Sequence, residues 1–255
     1  MTHFTTRAKR RFPRLLAAAF WLALWQAFSM VIGQEILLVS PVSVCLSLLE
    51  LAQTAAFWAS AGFSFFKILS GFLLSVSTGV LLAAAGCRFP AVDILLHPAI
   101  SVMKAMPVAS FTILALLWVR SENLSILVSF TMAFPIVYSN IREGILTASR
   151  ELLEMAAVFQ LGLWRRLAYI YLPAVFPFFL SAVSLSVGLC WKSGIAAEVI
   201  GQPAGSIGGA LYQAKIFLAT RELFAWTAVI AAISMLFERA VLRLAGRARR
   251  RLEET

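Results

Sequence analysis

Acidic residues, histidines and cysteines are scarce in this 255-residue chain, which holds 12 Asp and Glu, two His and three Cys. With His3 and His97 so far apart and no metal-ligand spacing among Cys, Asp and Glu, a zinc or iron site of ordinary type is excluded. Cys45, Cys87 and Cys190 are odd in number and widely spaced, so the chain is not a disulfide-stapled scaffold. A nucleophile elbow is missing too, which argues against a membrane enzyme of that kind. Charged residues make up only 13% of the chain, about half the usual share of a soluble domain.

What is present is apolar. Hydrophobic residues form 61% of the sequence and the mean hydropathy is +0.87, more than one soluble core can bury. The chain therefore reads as an all-α integral membrane protein, because a lone strand would leave its backbone groups unsatisfied in lipid. A helix rises about 1.5 Å per residue and the hydrocarbon core is about 30 Å thick, so roughly 20 apolar residues make one crossing. Six segments meet that test: residues 15–33, 63–86, 95–119, 124–146, 168–192 and 222–242. The basic start, Arg7 to Arg14, resembles the head of a signal peptide, but residues 15–33 lack a clear A-x-A site and read as a retained first span.

The net charge of +10 would suggest nucleic acid in a soluble domain, but the basic residues flank apolar segments, as topology signals do. With the N-terminus inside, 16 of the 22 Lys and Arg fall on cytoplasmic segments, and both termini are expected there. One domain, 1–255, is expected, with basic cytoplasmic tails at 1–14 and 245–255 and a cytoplasmic loop at 147–167. The C-terminal arginines, Arg247 to Arg251, suit anionic lipid or a protein partner.

Between spans one and two, Ser40-Pro41 is a good cap and first-turn pair, and Val44, Leu48, Leu51 and Ala55 follow at helical spacing. A short helix on the outer surface is expected. The stretch 193–221, with Gly194, Gly201, Gly205, Gly208 and Gly209 around Pro203, reads as a flexible re-entrant or outer-face loop. Pro135 and Pro177 are expected to kink the fourth and fifth spans. Trp21, Trp25, Trp118, Trp191 and Trp226 fall mostly toward span ends, as an aromatic belt does.

The loop at 147–167 mixes Glu151, Glu154, Arg165 and Arg166 with Leu153, Met155, Val158 and Phe159. Two short helices at the membrane face are expected there. Exposed apolar residues on such a helix fit either a protein partner or the lipid surface, and periodicity does not choose between them. Ionisable residues inside spans mark a pathway or a partner. Lys104, a turn before Pro107, is the leading pathway candidate, with snorkelling or a carbonyl contact as its alternative. Lys192 and Glu198, beside Trp191, either line an outer gate or pair with each other. Lys67 is expected to snorkel, and Asp93 and His97 to form a helical pair.

Glu154-Met155-Ala156, then Gln160, then Ile170-Tyr171-Leu172-Pro173 resembles the EAA loop of ABC importer permeases: E-A-A, three residues, G, nine residues, I-x-L-P. The spacing fits without a gap, while Met155 replaces the first Ala and Gln160 the Gly at the turn. Ser40-Pro41, the run Lys67 to Phe72, Pro98, Pro107 and the run Trp191 to Gly201 extend the likeness toward the nitrate, taurine and alkanesulfonate-type permeases.

The resemblance implies a type I, MetI-like importer permease of six transmembrane helices in a bacterial cytoplasmic membrane. It implies two ATPase subunits at the cytoplasmic face, a second permease copy and an external substrate-binding protein. The chain itself would hold no cofactor, ATP and Mg being bound by the partner subunits. Glu154, Met155, Ala156, Val158, Phe159, Gln160, Arg165 and Arg166 would form the coupling surface, and Lys104, Trp191, Lys192 and Glu198 the pathway or gate. The solute would be a small anion such as a sulfonate or nitrate, or alternatively a thiamine-precursor-like organic. A secondary transporter would need an intramembrane acidic relay, for which only Asp93 and Glu198 are available, both near span ends.

Overall fold

The computed structural model describes residues 11–253, and every described element is helical. The expected tail residues 1–10 lie outside the described residues, as do Glu254 and Thr255. Helices run as α1 Arg11–Ile32, α2 Pro41–Ala52, α3 Ala55–Arg88, α4 Pro90–Ala105, α5 Val108–Ala115 and α6 Ser121–Leu146. Then follow α7 Arg150–Val158, α8 Leu163–Arg166, a π-helical turn Leu167–Tyr171, α9 Leu172–Gly201, α10 Ile207–Ile216 and α11 Thr220–Glu253. The backbone expected to form a tail from residue 245 is instead the end of α11, continued by helix-favouring Ala and Arg.

Four stretches are long and apolar enough to cross a bilayer among the described residues: Ala55–Arg88, Ser121–Leu146, Leu163–Gly201 and Thr220–Leu244. The bent pair α4 and α5 meets the same test only when the two are taken together, as a broken span or a re-entrant loop would, and α1 holds a shorter apolar stretch, Leu16–Ile32. The single crossing expected at 95–119 is therefore broken. At Met106-Pro107 the chain turns by 108°. Pro107 has no N–H to continue the ladder, and Met106 before it is extended, at φ −74° and ψ 124°.

The chain divides into two compact units. One unit comprises the chain through Trp58 together with Ala210–Val229. In it, Val39, Val44 and Ala225 are buried, with Trp25, Leu48, Leu51 and Phe224 packed against them. The expected outer helix is present as α2: the Ser40 hydroxyl accepts from Ser43 N at 3.1 Å, and Pro41 occupies the first turn, where its missing N–H costs nothing. Trp226, expected in an aromatic belt, is buried and stacks on Phe57 at 5.0 Å.

The other unit comprises Ala59–Gly209 with the chain from Ile230. Its innermost helix is α6, whose apolar window is 67% buried, against no more than 33% for the other spans. Small polar residues make this close packing possible: Ser125, Ser129 and Thr131 lie on α6, and α9 presents Gly194. A Cβ on Gly194 would stand 2.7 Å from both Ile68 Cγ1 and Ser129 Oγ, so only hydrogen fits there. Trp191, also expected in the belt, is 1% exposed and packs against Phe65 and Phe237.

The expected loop after span five is likewise ordered. Helix α9 runs through Gly194 to Gly201, turns at Gln202 in the left-handed region, and α10 begins five residues on. Gly194, Gly201 and Gly208 serve close packing here, while Gly205, at φ 70°, serves the turn itself, so the loop expected over 193–221 is confined largely to the short turn around Pro203.

Candidate functional site

Two regions carry the residues singled out in the sequence, and both belong to the larger unit. The first is the loop between α6 and α9. Ser149 caps α7, its hydroxyl accepting from Leu152 N at 3.3 Å. Apolar residues then recur at Leu152, Met155, Val158 and Phe159, of which Met155 is 48%, Val158 79% and Phe159 71% exposed. Ala156, one turn on from Leu152, is fully buried and seats the helix.

The end of α7 explains the motif spacing. Gln160 N donates to Ala157 O at 3.1 Å and Leu161 N to Ala156 O at 2.9 Å, the paired bonds of a Schellman cap. Such a cap needs a left-handed residue, and Gln160 has φ 49°. Glycine adopts that conformation freely, whereas a residue with Cβ is strained by roughly 1 kcal/mol. The cap thus forms without the usual residue.

Arg166 reaches back across the turn. Its Nε donates to Leu161 O at 2.8 Å and its Nη2 to Ala156 O at 3.3 Å, so one guanidinium ties α8 to the final turn of α7. A partner-facing role was expected for Arg166 beside Arg165, but the structure gives it an internal bond pattern, while Arg165 is exposed. Glu154 is exposed and pairs with Arg150 one turn earlier at 3.0 Å. Leu163 and Trp164, 77% and 85% exposed, enlarge the apolar surface of the loop and were not among the residues expected there. Their signal was available: a Leu-Trp pair just after Gly162 and before two arginines has no reason to sit in a solvated loop.

The second region surrounds Glu198. Its carboxylate is fully buried, and Oε2 accepts from Ser64 Oγ at 2.6 Å and from Gly208 N at 3.2 Å. The same Ser64 oxygen accepts from Ile207 N at 2.9 Å. Two free amides at the start of α10 are thereby satisfied, and the positive end of that helix faces the carboxylate. Gly208 permits the approach, since a Cβ there would overlap Glu198. Ser64 was not identified from sequence, being one hydroxyl inside the aromatic run Phe63 to Phe66.

The expected gate residues do not converge. Lys192 is exposed while Glu198 is buried, so they do not pair; six helical positions put them on different faces. Lys104 is exposed at the last turn of α4, and its Nζ donates to Ser139 Oγ at 2.8 Å. Lys67 donates to Asn123 Oδ1 at 2.7 Å. Asp93 does not pair with His97. It takes Tyr138 OH at 2.7 Å and Arg142 Nε and Nη2 at 2.8 Å each, a bidentate bridge from α4 to α6. Removing an aspartate from its neighbouring histidine is the natural result when a guanidinium on the facing helix offers two parallel bonds.

Among the described residues no group of three or more His, Cys, Asp or Glu is placed to hold a metal ion. Residues 75–253 match the family described as binding-protein-dependent transport system inner membrane component. A protein of Bacillus subtilis described as an aliphatic sulfonates transport permease is 26% identical over 87% of this chain and 81% of its own length. The taurine transport system permease protein of Escherichia coli is 25% identical over 84% of this chain and 80% of its own. In fold, the chain is similar to a crystallised amino acid ABC transporter with histidines, at TM-score 0.52 and 18% identity, covering 75% of this chain and 90% of that one.

Proposed function

Since the chain belongs to the family of binding-protein-dependent transport system inner membrane components, we propose that it forms the membrane pathway of an ATP-driven importer for a small anionic solute. It is a multi-pass protein of the cytoplasmic membrane and a transport subunit rather than an enzyme. In the proposed assembly α1, α3, the bent α4 and α5, α6, α9 and α11 provide six crossings, and both termini are cytoplasmic. Two copies pair, an external protein delivers the solute, and two ATPase subunits that bind ATP and Mg dock at the loop bearing α7.

The single observation that carries this reading is the apolar face of α7. Met155, Val158 and Phe159 stand out on and just after a nine-residue helix that is capped at both ends and tied by Arg166 to α8, from which the chain runs through the π-helical turn into α9. A push on such a helix moves the following span as one body, which is what coupling to a closing ATPase requires. Glu154, Arg150 and Arg165 would form its polar rim and set register more than affinity. An anion is supported by the exposed ammonium groups of Lys104 and Lys192 and by the relatives named for sulfonates and taurine.

The double variant Glu154→Ala with Phe159→Ala tests the coupling assignment. Membrane insertion is expected to stay normal while solute-stimulated ATPase activity of the reconstituted complex is lost. Unchanged transport in that variant would sink the assignment.

A further inference from the structure

Beside the base of the coupling loop the larger unit has an open groove of about 590 Å³ between α3, α6 and the π-helical turn. Its walls include Val80, Ile141, Leu167 and Ala168, with Trp164 at one side. Arg88, at the last turn of α3, is its one charged lining residue. Arg88 is exposed, lies over the Phe89 ring at 5.3 Å, and has no carboxylate partner among the described residues.

An apolar channel with a lone guanidinium at its rim has the two chemistries of a phospholipid in the order a phospholipid needs them. Acyl chain fits the Val, Ile and Leu walls. A phosphate answers the arginine, which forks two N–H groups toward it and is only weakly hydrated. Trp164 beside the groove is the residue type that prefers the level between chain and headgroup. Basic pockets between membrane helices bind anionic headgroups for the same reason.

We propose that this groove is a binding site for one anionic phospholipid, its acyl chain against Leu167 and Ala168 and its phosphate on Arg88. The floor of the site is the π-helical turn itself, where the ladder widens from the α-helical repeat, a local form that recurs at functional sites. That turn follows directly on Arg166, which holds the loop. A bound lipid therefore braces the segment through which a displacement of α7 reaches α9. This last consequence rests on the coupling role proposed above; the binding itself does not.

Native mass spectrometry of the full chain, extracted from membranes and then offered phosphatidylglycerol or phosphatidylethanolamine, tests the site. The parent protein is expected to keep one phosphatidylglycerol per chain in preference to phosphatidylethanolamine. In Arg88→Gln that preference is expected to fall roughly fivefold, the share one basic residue contributes at an anionic surface. Ala168→Trp, which fills the groove, is expected to lose lipid of either kind. Equal retention of both lipids by the parent and by Arg88→Gln would overturn the proposal, and Arg88, being exposed, can be changed without threatening the fold. So would a Cys87 to Cys87 cross-link between chains in Cys45→Ser membranes, because Cys87 lines the groove and the bond would put a second copy there. Normal lipid retention with uncoupled ATPase, by contrast, would leave the site standing and count against the coupling reading alone.

Discussion

Ser64 Oγ donates to Glu198 Oε2 at 2.6 Å across 134 residues of sequence, and the same oxygen receives the N–H of Ile207. One hydroxyl therefore links α3, the end of α9 and the start of α10. A buried carboxylate needs such partners, since an unpaired charge in a low-dielectric interior is costly. These bonds all fall on Oε2, while Oε1 is buried without a hydrogen-bond partner among the described residues.

Ser64→Ala is expected to lower stability in detergent by roughly 2 kcal/mol, because a buried hydrogen bond to the carboxyl group is lost and a backbone amide loses its acceptor. For a chain of this size that is a fall of roughly 4–8 °C in thermal midpoint. The double variant with Glu198→Gln is expected to lose less than the sum of the two single changes, since they share one bond. Strict additivity in a thermal-shift series would show that the two groups act independently.

In the loop bearing α7, Gln160→Gly is expected to relieve roughly 1 kcal/mol of strain at the cap of that helix. Protease protection of the loop should rise in the glycine variant and fall in Gln160→Val, whose branched Cβ is worst suited to positive φ. If both variants are cleaved at the same rate, the left-handed cap is not what orders the loop.

In the smaller unit, the Arg221 guanidinium and the Ser43 hydroxyl hold the Glu35 carboxyl below the usual carboxylate range. A depressed folded value means that the contribution is present above the unfolded value, about pH 4, and is lost as pH falls through the folded one. Glu35→Gln is therefore expected to be slightly less stable than the parent at pH 7, by thermal denaturation at low salt, and the gap is expected to shrink as the pH falls below the unfolded value. The difference should be small, because the pair is exposed and screened. A gap that widens on acidification would show that the carboxylate is not the stabilising form.

Much of this was legible along the chain because lipid imposes local rules. An apolar run of about 20 residues announces a helix without reference to its neighbours, and Ser40-Pro41 announces the start of α2, since capping acts within one turn. The EAA-like spacing was equally local. Glu154, Gln160 and Ile170 stand where they must for a short helix, its left-handed end and the return into the membrane. Even the departure at Gln160 marked the residue that the backbone places at positive φ.

Partnership was another matter. Nothing near Asp93 in sequence says that it prefers Arg142 to His97, and nothing near Glu198 points to Ser64. Side chains that lie 40 to 140 positions apart meet only after helices pack, and long basic residues reach whichever acceptor the packing brings within about 3 Å. Composition also read 193–221 as a flexible loop where most of it is helical, because glycine both loosens an exposed backbone and lets two buried helices touch. Which of those it does depends on the neighbour that arrives, and for Gly194 that neighbour is Ile68 with Ser129.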